Sequence, residues 1–245
     1  MDQPGPAVPV NVNFKPQGDR AIRVAWPMPA SAASGTSLDT PPDSVLAQAR
    51  AFAHALDQAA LPAVEESVPA YATVTVFYRP QDIRYADLCT ALQQLATQAA
   101  QAPAIPPRTV EIPVRYGGDH GPDLMFVAEQ AKLTCDDVIA LHTEPTYTVA
   151  MIGFMPGFPY LTGLPGKLHV PRLDRPRVNV PAGSIAIGGS QTGVYPFGSP
   201  GGWRLIGRTP LKMFDPARTV PSLCTAGDLV RFRAISEEDY RALLK

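Results

Sequence analysis

Hydrophobic and polar positions follow two different periods along residues 1–107, and each period predicts a different element. Residues 10–14 and 21–26 are short extended runs around a turn, which is typical of a β-hairpin. Apolar side chains then recur every three or four residues, which predicts a helix from about residue 44: Val45, Ala49, Phe52 and Leu56. Residues 63–78 return to strand character, and a second helix is predicted over residues 83–101. This ββαββα order predicts a small sheet with helices on one face, an α+β domain.

Two stretches rich in turn residues interrupt this half of the chain. Residues 27–43 are rich in proline, serine, alanine and glycine, and we predict a loop there. Residues 102–108 contain three prolines, which lack the backbone N–H group that regular structure uses. This second stretch is the predicted linker, so we expect two domains, residues 1–107 and residues 108–245.

The remainder of the chain begins with regular elements and then becomes rich in turns. Strands are predicted over residues 109–115 and 147–152, with a helix over residues 123–131 and another from a Thr134 cap to about His142. From Gly153 to Gly207 the chain holds 12 of its 19 glycines and only short β-like pieces. Short strands between many turns pack in a closed or folded-over β architecture, which is the predicted fold of this half.

Composition and charge narrow the class of protein. The 245 residues carry 21 basic and 22 acidic side chains, a balance that gives no electrostatic footprint for nucleic acid or an anionic membrane surface. The first residues lack a signal-peptide pattern, and no apolar run reaches the ~18 residues of a membrane span. Three dispersed cysteines have no CxxC or metal-ligand spacing: Cys89, Cys135 and Cys224. We expect a soluble cytoplasmic protein without a metal site that binds neither nucleic acid nor membrane.

Familiar catalytic motifs fail on their spacing. Residues 163–168 look like a phosphate-binding loop, but Leu168 stands where a serine or threonine must hold the metal. The glycines around Ser190 do not have the spacing of a nucleophile elbow. The sequence also lacks HExxH and zinc-type His/Cys patterns. Because no set of acid, base and nucleophile is complete, we expect the chain to be inactive by itself.

Candidate binding residues lie in a basic segment. Residues 151–215 carry seven basic and two acidic side chains, a local balance of +5. Prolines stiffen the backbone around Arg172 and Arg177, whose guanidinium groups suit a carboxylate or phosphate; a solvated loop or an ion pair with Asp174 is an equal alternative. Gln191, Thr192 and nearby glycine-rich turns resemble groups that cradle an anion, although ordinary turn chemistry explains them as well.

Histidines and aromatic residues give weaker signals. His142 closes a helix, where capping is the alternative to a site role, and His169 lies inside the basic segment and is the preferred polar site residue. His120 follows two glycines in a turn and is predicted to face solvent. Four aromatic residues are better explained as core or loop anchors than as a ligand wall, with Trp203 balanced between the two: Phe154, Phe158, Tyr160 and Trp203.

Four segments occur in a specific order: residues 152–161 (IGFMPGFPYL), 171–184, 191–196 and 199–210. Together they closely resemble the family of the 5-oxoprolinase B subunit, also named allophanate hydrolase subunit 1 or the sporulation kinase inhibitor KipI family. The resemblance is specific over about residues 111–232, and before residue 108 it rests on element order and residues 68–71. It implies an N-terminal ferredoxin-like α+β domain followed by a C-terminal cyclophilin-like β-barrel.

The resemblance also implies a function. With subunits A and C, such a chain forms an ATP-dependent 5-oxoprolinase, an amide-bond hydrolase that opens 5-oxo-L-proline to L-glutamate. ATP, with Mg²⁺, would be shared with the partner subunits. Two alternatives stay open: a KipI-like regulatory protein that inhibits a sensor histidine kinase, and a component of an allophanate- or urea-processing amidohydrolase.

The predicted site combines the basic segment with this resemblance. We predict that two histidines, His142 and His169, are catalytic. The predicted substrate-binding residues lie on one surface of the barrel, where proline-stiffened arginines meet glycine-flanked polar groups: Arg172, Arg177, Gln191, Thr192 and Tyr195.

Overall fold

The computed structural model describes residues 10–28, 43–104 and 106–244. The chain divides into two units, Met1–Pro106 and Pro107–Lys245, and this boundary falls within the proline-rich residues 102–108. Most of the loop predicted over residues 27–43, and residues 1–9 of the N-terminus, lie outside the described residues. No helix in the described part of the chain is long and apolar enough to cross a membrane.

Six elements build the first unit in the predicted ββαββα order. They are β1 (Asn13–Pro16), β2 (Ala21–Ala25), α1 (Asp43–Ala59), β3 (Val64–Ala70), β4 (Thr73–Tyr78) and α2 (Tyr85–Gln101). The strands form an antiparallel sheet in the order β1-β2-β4-β3. Val74 and Val76 are fully buried, and they share one core with Phe52 of α1 and Leu88 of α2. Both helices therefore cover the same face of the sheet, and the α+β prediction is confirmed.

Twelve elements build the second unit. They are β5 (Thr109–Tyr116), α3 (Leu124–Ala131), α4 (Cys135–Thr143), β6 (Tyr147–Ile152), β7 (Pro159–Thr162), β8 (Arg177–Val180), β9 (Ser184–Gly188), β10 (Gln191–Val194), β11 (Ser199–Gly201), β12 (Arg204–Arg208), β13 (Leu229–Ala234) and α5 (Glu237–Leu243). Seven strands follow the order β6-β13-β5-β12-β9-β10-β7, and pairing of β7 with β6 closes the barrel. The predicted closed β architecture is confirmed, and it is consistent with a cyclophilin-like barrel.

Strand β9 is buried on both of its faces, because two packed clusters meet on it. Ile185 and Ile187 belong to the main core of the barrel unit. Ala186, which lies between them, belongs to a second cluster that we call the aromatic cluster: Phe158, Val180, Ala186, Tyr195, Trp203 and Leu205. Strands β8 and β11 form a separate antiparallel ribbon, and Val180 at the end of β8 packs into the aromatic cluster. The alternation along β9 thus separates the barrel interior from the cluster beside the ribbon.

Helix α4 begins at the predicted cap. The Thr134 hydroxyl accepts a hydrogen bond from the Asp137 backbone N–H at 3.1 Å, and the Asp137 carboxylate accepts one from the Thr134 N–H at 3.0 Å. This reciprocal capping box satisfies two donors that the first helical turn leaves without partners. The helix ends at Thr143, and it carries His142 fully buried on its inner face.

Candidate functional site

A cavity of about 340 Å³ opens over the aromatic cluster in the barrel unit. Aromatic, proline and glycine residues and one arginine line it: Phe154, Phe158, Tyr160, Arg172, Leu173, Pro176, Tyr195, Pro200, Gly201, Gly202 and Trp203. Its volume is in the range of small-molecule sites. Among the described residues, those that line the cavity include no carboxylate, histidine or cysteine. The cavity is therefore equipped to bind a small ligand, whereas its lining offers no ordinary general base or nucleophile.

Phe158 organises the floor of the cavity. Its ring is buried, and its centroid lies 4.9 Å from that of Tyr160, 5.1 Å from that of Tyr195 and 5.6 Å from that of Trp203. The Tyr195 and Trp203 rings meet it edge to face, at interplanar angles of 88°. Such interlocked rings hold one another in fixed orientations, so the floor is a preformed aromatic surface.

Two glycines permit this close packing. A Cβ atom on Gly188 would lie 2.6 Å from the Trp203 ring, and one on Gly201 would lie 2.5 Å from the Tyr195 hydroxyl and 2.8 Å from its ring carbons. Neither distance is compatible with a side chain unless the ring moves. Glycine at these two positions therefore sets how closely the strands approach the aromatic cluster.

We predict that Gly201→Ala destabilises the protein by about 1–3 kcal/mol, because the added methyl group overpacks against Tyr195. Urea unfolding measures the difference. Gly166→Ala is the matched control, since a Cβ atom there meets nothing within 4 Å. Equal stability of the two variants would show that the Tyr195 ring yields freely, contrary to a rigid floor.

Arg172 supplies the positive charge of the cavity. Its guanidinium carbon lies 5.7 Å from the centroid of the Trp203 ring, within the range of a cation–π interaction. The side chain is otherwise exposed, and its donors can face the cavity. A guanidinium held over an indole ring keeps its planar fork available for a carboxylate.

Two phenol groups line the same cavity. Burial raises the pKa of both Tyr160 and Tyr195, while the nearby charge of Arg172 acts in the opposite direction on each. The Tyr195 pKa is also lowered by a hydrogen bond with the backbone of Trp203. Because the net pKa shift is upward, both hydroxyls stay protonated at neutral pH and are able to donate a hydrogen bond to a ligand.

Of the predicted substrate-binding residues, the structure brings Arg172 and Tyr195 together in the cavity, but not Arg177. The Arg177 Nη2 atom lies 2.8 Å from Oδ1 of Asp123, and its side chain is 28% exposed. Asp123 is 54 residues earlier in the chain, and it meets β8 through the tertiary fold. The guanidinium therefore pairs with a carboxylate of this chain, and not with the sequence neighbour Asp174.

His142 lies in the main core and not at the cavity. Its Nδ1 atom is 2.8 Å from the Tyr116 hydroxyl, and its Nε2 atom is 3.0 Å from that of Thr192. The Thr192 hydroxyl donates to the Ala186 carbonyl at 3.0 Å, so His142 Nε2–H donates to Thr192 and Nδ1 accepts from Tyr116. Burial lowers the pKa of His142 to about 3, so the ring is neutral. This is a satisfied, closed network inside the barrel unit.

The remaining predicted residues also lie away from the cavity. Gln191 is fully buried next to Thr192 on β10. His169 is exposed, and its Nε2 atom lies 3.1 Å from the Leu164 carbonyl. The catalytic roles of His142 and His169 stay predictions, and the geometry brings neither ring to the cavity.

The prediction that His120 faces solvent is wrong. Its side chain is 19% exposed, and its Nε2 atom lies 3.2 Å from a carboxylate oxygen of Glu237. Its ring also stacks at 4.5 Å on Tyr240 of α5. The C-terminal helix, which the sequence pattern did not predict, covers the turn.

Known proteins share much of this sequence. A family model described as carboxyltransferase domain, subdomain C and D, matches residues 12–224. The B subunit of 5-oxoprolinase from Bacillus subtilis (strain 168) is 43% identical over 197 residues, which cover 76% of this chain and 82% of that protein. The B subunit of 5-oxoprolinase from Escherichia coli O157:H7 is 45% identical over 194 residues, 78% of this chain and 88% of that protein. The chain belongs to the 5-oxoprolinase B-subunit family.

A solved structure extends the comparison. TTHA0988 superposes with a TM-score of 0.73 at 36% identity, and the match covers 89% of this chain and 40% of that one. The chain therefore spans less than half of that longer protein. All residues that line the cavity of this member of the 5-oxoprolinase B-subunit family lie within residues 12–224, the part that the family model matches.

Proposed function

We propose that this chain is the B subunit of an ATP-dependent 5-oxoprolinase that, with subunits A and C, opens 5-oxo-L-proline to L-glutamate. Membership of the family supports the role, since two relatives that it covers over most of their length carry that name. One observation supports the site: a single guanidinium, that of Arg172, stands at an aromatic cavity of about 340 Å³. A small ring that carries a carboxylate matches such a cavity in size, polarity and charge.

In this proposal the cavity binds and orients the lactam. The Arg172 guanidinium receives the carboxylate in a bidentate, charge-assisted contact. The lactam ring packs on Phe158 and Trp203, and the protonated hydroxyl of Tyr195 donates to the lactam oxygen. Together these contacts keep water from the ring while the poorly electrophilic amide is activated. Phosphorylation of the lactam oxygen would make it a leaving group, and ATP is the reagent that supplies this activation when bound.

The described residues of this chain do not fit ATP with Mg²⁺. Gly166–Leu168, the end of the loop that resembles a phosphate site, form a 3-10 turn and not the start of an α-helix. No group of three metal-ligating side chains occurs among the described residues, and the cavity offers one cation for a triphosphate. We therefore assign nucleotide binding to the partner subunits.

Two finer structural expectations belong to the same proposal. We infer that the N-terminal unit is ferredoxin-like, because its sheet order β1-β2-β4-β3 becomes that of a βαββαβ chain if edge strand β1 is placed after α2. We also infer a cytoplasmic enzyme, which three free cysteines in the described residues support: Cys89, Cys135 and Cys224.

The deciding experiment measures ATP hydrolysis that depends on 5-oxo-L-proline. We expect turnover from this chain mixed with subunits A and C, and none from the chain alone, because the cavity lining lacks an acid, a base and a nucleophile. Leaving out this chain is expected to abolish turnover. Urea and allophanate serve as comparison substrates for the amidohydrolase alternative. Turnover of allophanate but not of 5-oxoproline would overturn the proposal.

A further inference from the structure

One buried carboxylate joins two strands that belong to different sheets. Asp123 precedes α3, and its side chain is 9% exposed. Its Oδ2 atom accepts a hydrogen bond from the backbone N–H of Leu205 on β12 at 2.7 Å. Its Oδ1 atom lies 2.8 Å from Nη2 of Arg177 on β8. The carboxylate is therefore a bridge between the barrel wall and the β8–β11 ribbon.

On the barrel side, Asp123 fixes an irregular part of β12. The pairing of β12 with β9 shifts register between Leu205 and Gly207. Both backbone polar groups of Leu205 bond to Asp123, because the Asp123 N–H also donates to the Leu205 carbonyl at 2.9 Å. A bulge that is held in this way has a defined path. Trp203, an aromatic wall of the cavity, lies two residues earlier in the chain.

On the ribbon side, Asp123 fixes Arg177. Arg177 is directly opposite Gly201 in the β8–β11 pairing, and Gly201 lines the cavity against the Tyr195 ring. The Arg177 Nη1 atom is buried without a hydrogen-bond partner in the described part of the chain. The Asp123 carboxylate is thus the ion-pair partner that holds this guanidinium in place.

We propose that Asp123 and Arg177 are positioning residues, which set the separation of the two cavity walls that carry Trp203 and Gly201. This inference rests on the proposed function, in which the cavity binds 5-oxoproline. Neither side chain lines the cavity, so both act through the residues that do. Breaking the bridge frees the ribbon to shift relative to β12, and the fit of the cavity to its ligand is then lost before the chemistry of the complex is affected.

The test uses the chain assembled with subunits A and C. Asp123→Asn keeps an acceptor for the Leu205 N–H but removes the charge that faces Arg177. We expect the KM for 5-oxoproline to rise about tenfold while kcat stays within about twofold, the signature of lost binding. Arg177→Met is expected to do the same, and the double variant to be no worse than Arg177→Met, because the two residues act as one unit. Asp174→Asn, an exposed carboxylate of the same segment, is the matched control and is expected to match wild type.

A second readout needs no substrate and separates this inference from the proposed function. In a Trp26→Phe background Trp203 is the remaining tryptophan, and we expect Asp123→Asn to shift its emission maximum. Arg172→Ala with a raised KM but Asp123→Asn with unchanged KM and emission would overturn the inference, even if Asp123→Asn lowers stability. Unchanged KM in Arg172→Ala contradicts the proposed function instead. Should Asp123→Asn fail to fold, Arg177→Lys is measured, and an unchanged KM and emission there overturns the inference equally.

Discussion

Replacing Arg172 with alanine is expected to lower kcat/KM for 5-oxoproline by about tenfold to a hundredfold in the assembled enzyme. This range corresponds to the ~1.5–3 kcal/mol that a hydrogen bond to a charged group contributes. The folded chain should keep its unfolding midpoint, because Arg172 is exposed and its contact with Trp203 is a single cation–π interaction. Steady-state kinetics of the complex and thermal unfolding of the isolated chain measure the two quantities.

Two companion variants separate charge from geometry at Arg172. Arg175→Ala removes a guanidinium from the same exposed segment without touching the cavity, and it is expected to behave as wild type. Arg172→Lys keeps the charge but loses the planar fork, so its kcat/KM should lie between those of wild type and Arg172→Ala. Equal activity of Arg172→Ala and Arg175→Ala would remove Arg172 from the binding site.

Local patterns predicted much of the fold because they report local physics. The repeating apolar residues before Leu56, the alternation in β4 and the Thr134 cap each describe interactions between residues that are close in sequence. The short strands between residues 153 and 207 are different. Their pairing is non-local, as in the bonding of Gln191 opposite Gly188 and Thr192 opposite Leu161, and no period marks it. The sequence predicted a closed β architecture there, but not its strands or their order.

The same distinction explains the outcome for the site. Arg172 and Tyr195 meet in the cavity, whereas Thr192, three residues before Tyr195, turns into the core and bonds to His142. Sequence proximity did not separate these two residues, because the side to which each side chain points depends on strand register. Arg177 was separated from the site by a partner, Asp123, that no local pattern could have named.

Aromatic residues were the main component of the cavity that sequence reasoning undervalued. Phe158 is a core residue and a cavity wall at once, so the choice between those roles had no single answer. Phe154 carries the clearer structural signal: it is 62% exposed at the cavity and has a φ of 66°, the left-handed region that favours glycine. An exposed aromatic residue held in that conformation is typical of a functional loop. Its sequence context, a glycine directly before it and a proline–glycine pair before Phe158, was the available hint.

Acidification is expected to destabilise this chain through His142. Burial lowers the pKa of His142 to about 3 in the folded state, against about 6.5 in the unfolded chain. Between these values the unfolded state binds a proton that the folded state does not, so its free energy falls relative to the folded state as the pH falls. The contribution of His142 is therefore complete above about pH 6.5 and is lost towards about pH 3. From about pH 6.5 to about pH 5 the loss is about 2 kcal/mol.

The pH dependence of urea unfolding tests this argument, with His142→Gln as the comparison. Glutamine cannot titrate, so the free energy of unfolding of the variant should fall less steeply over the same pH interval, by about 1.4 kcal/mol per pH unit. The surrounding groups are the hydroxyls of Tyr116, Thr192 and Tyr147 and the ring of Phe232, none of which titrates in this interval. A folded-state NMR titration of the His142 ring gives an independent check, because a neutral core imidazole keeps constant shifts down to about pH 4.5. Titration of that ring near its ordinary pKa, or parallel pH slopes for the two proteins, would contradict a neutral His142 and would reopen its predicted catalytic role.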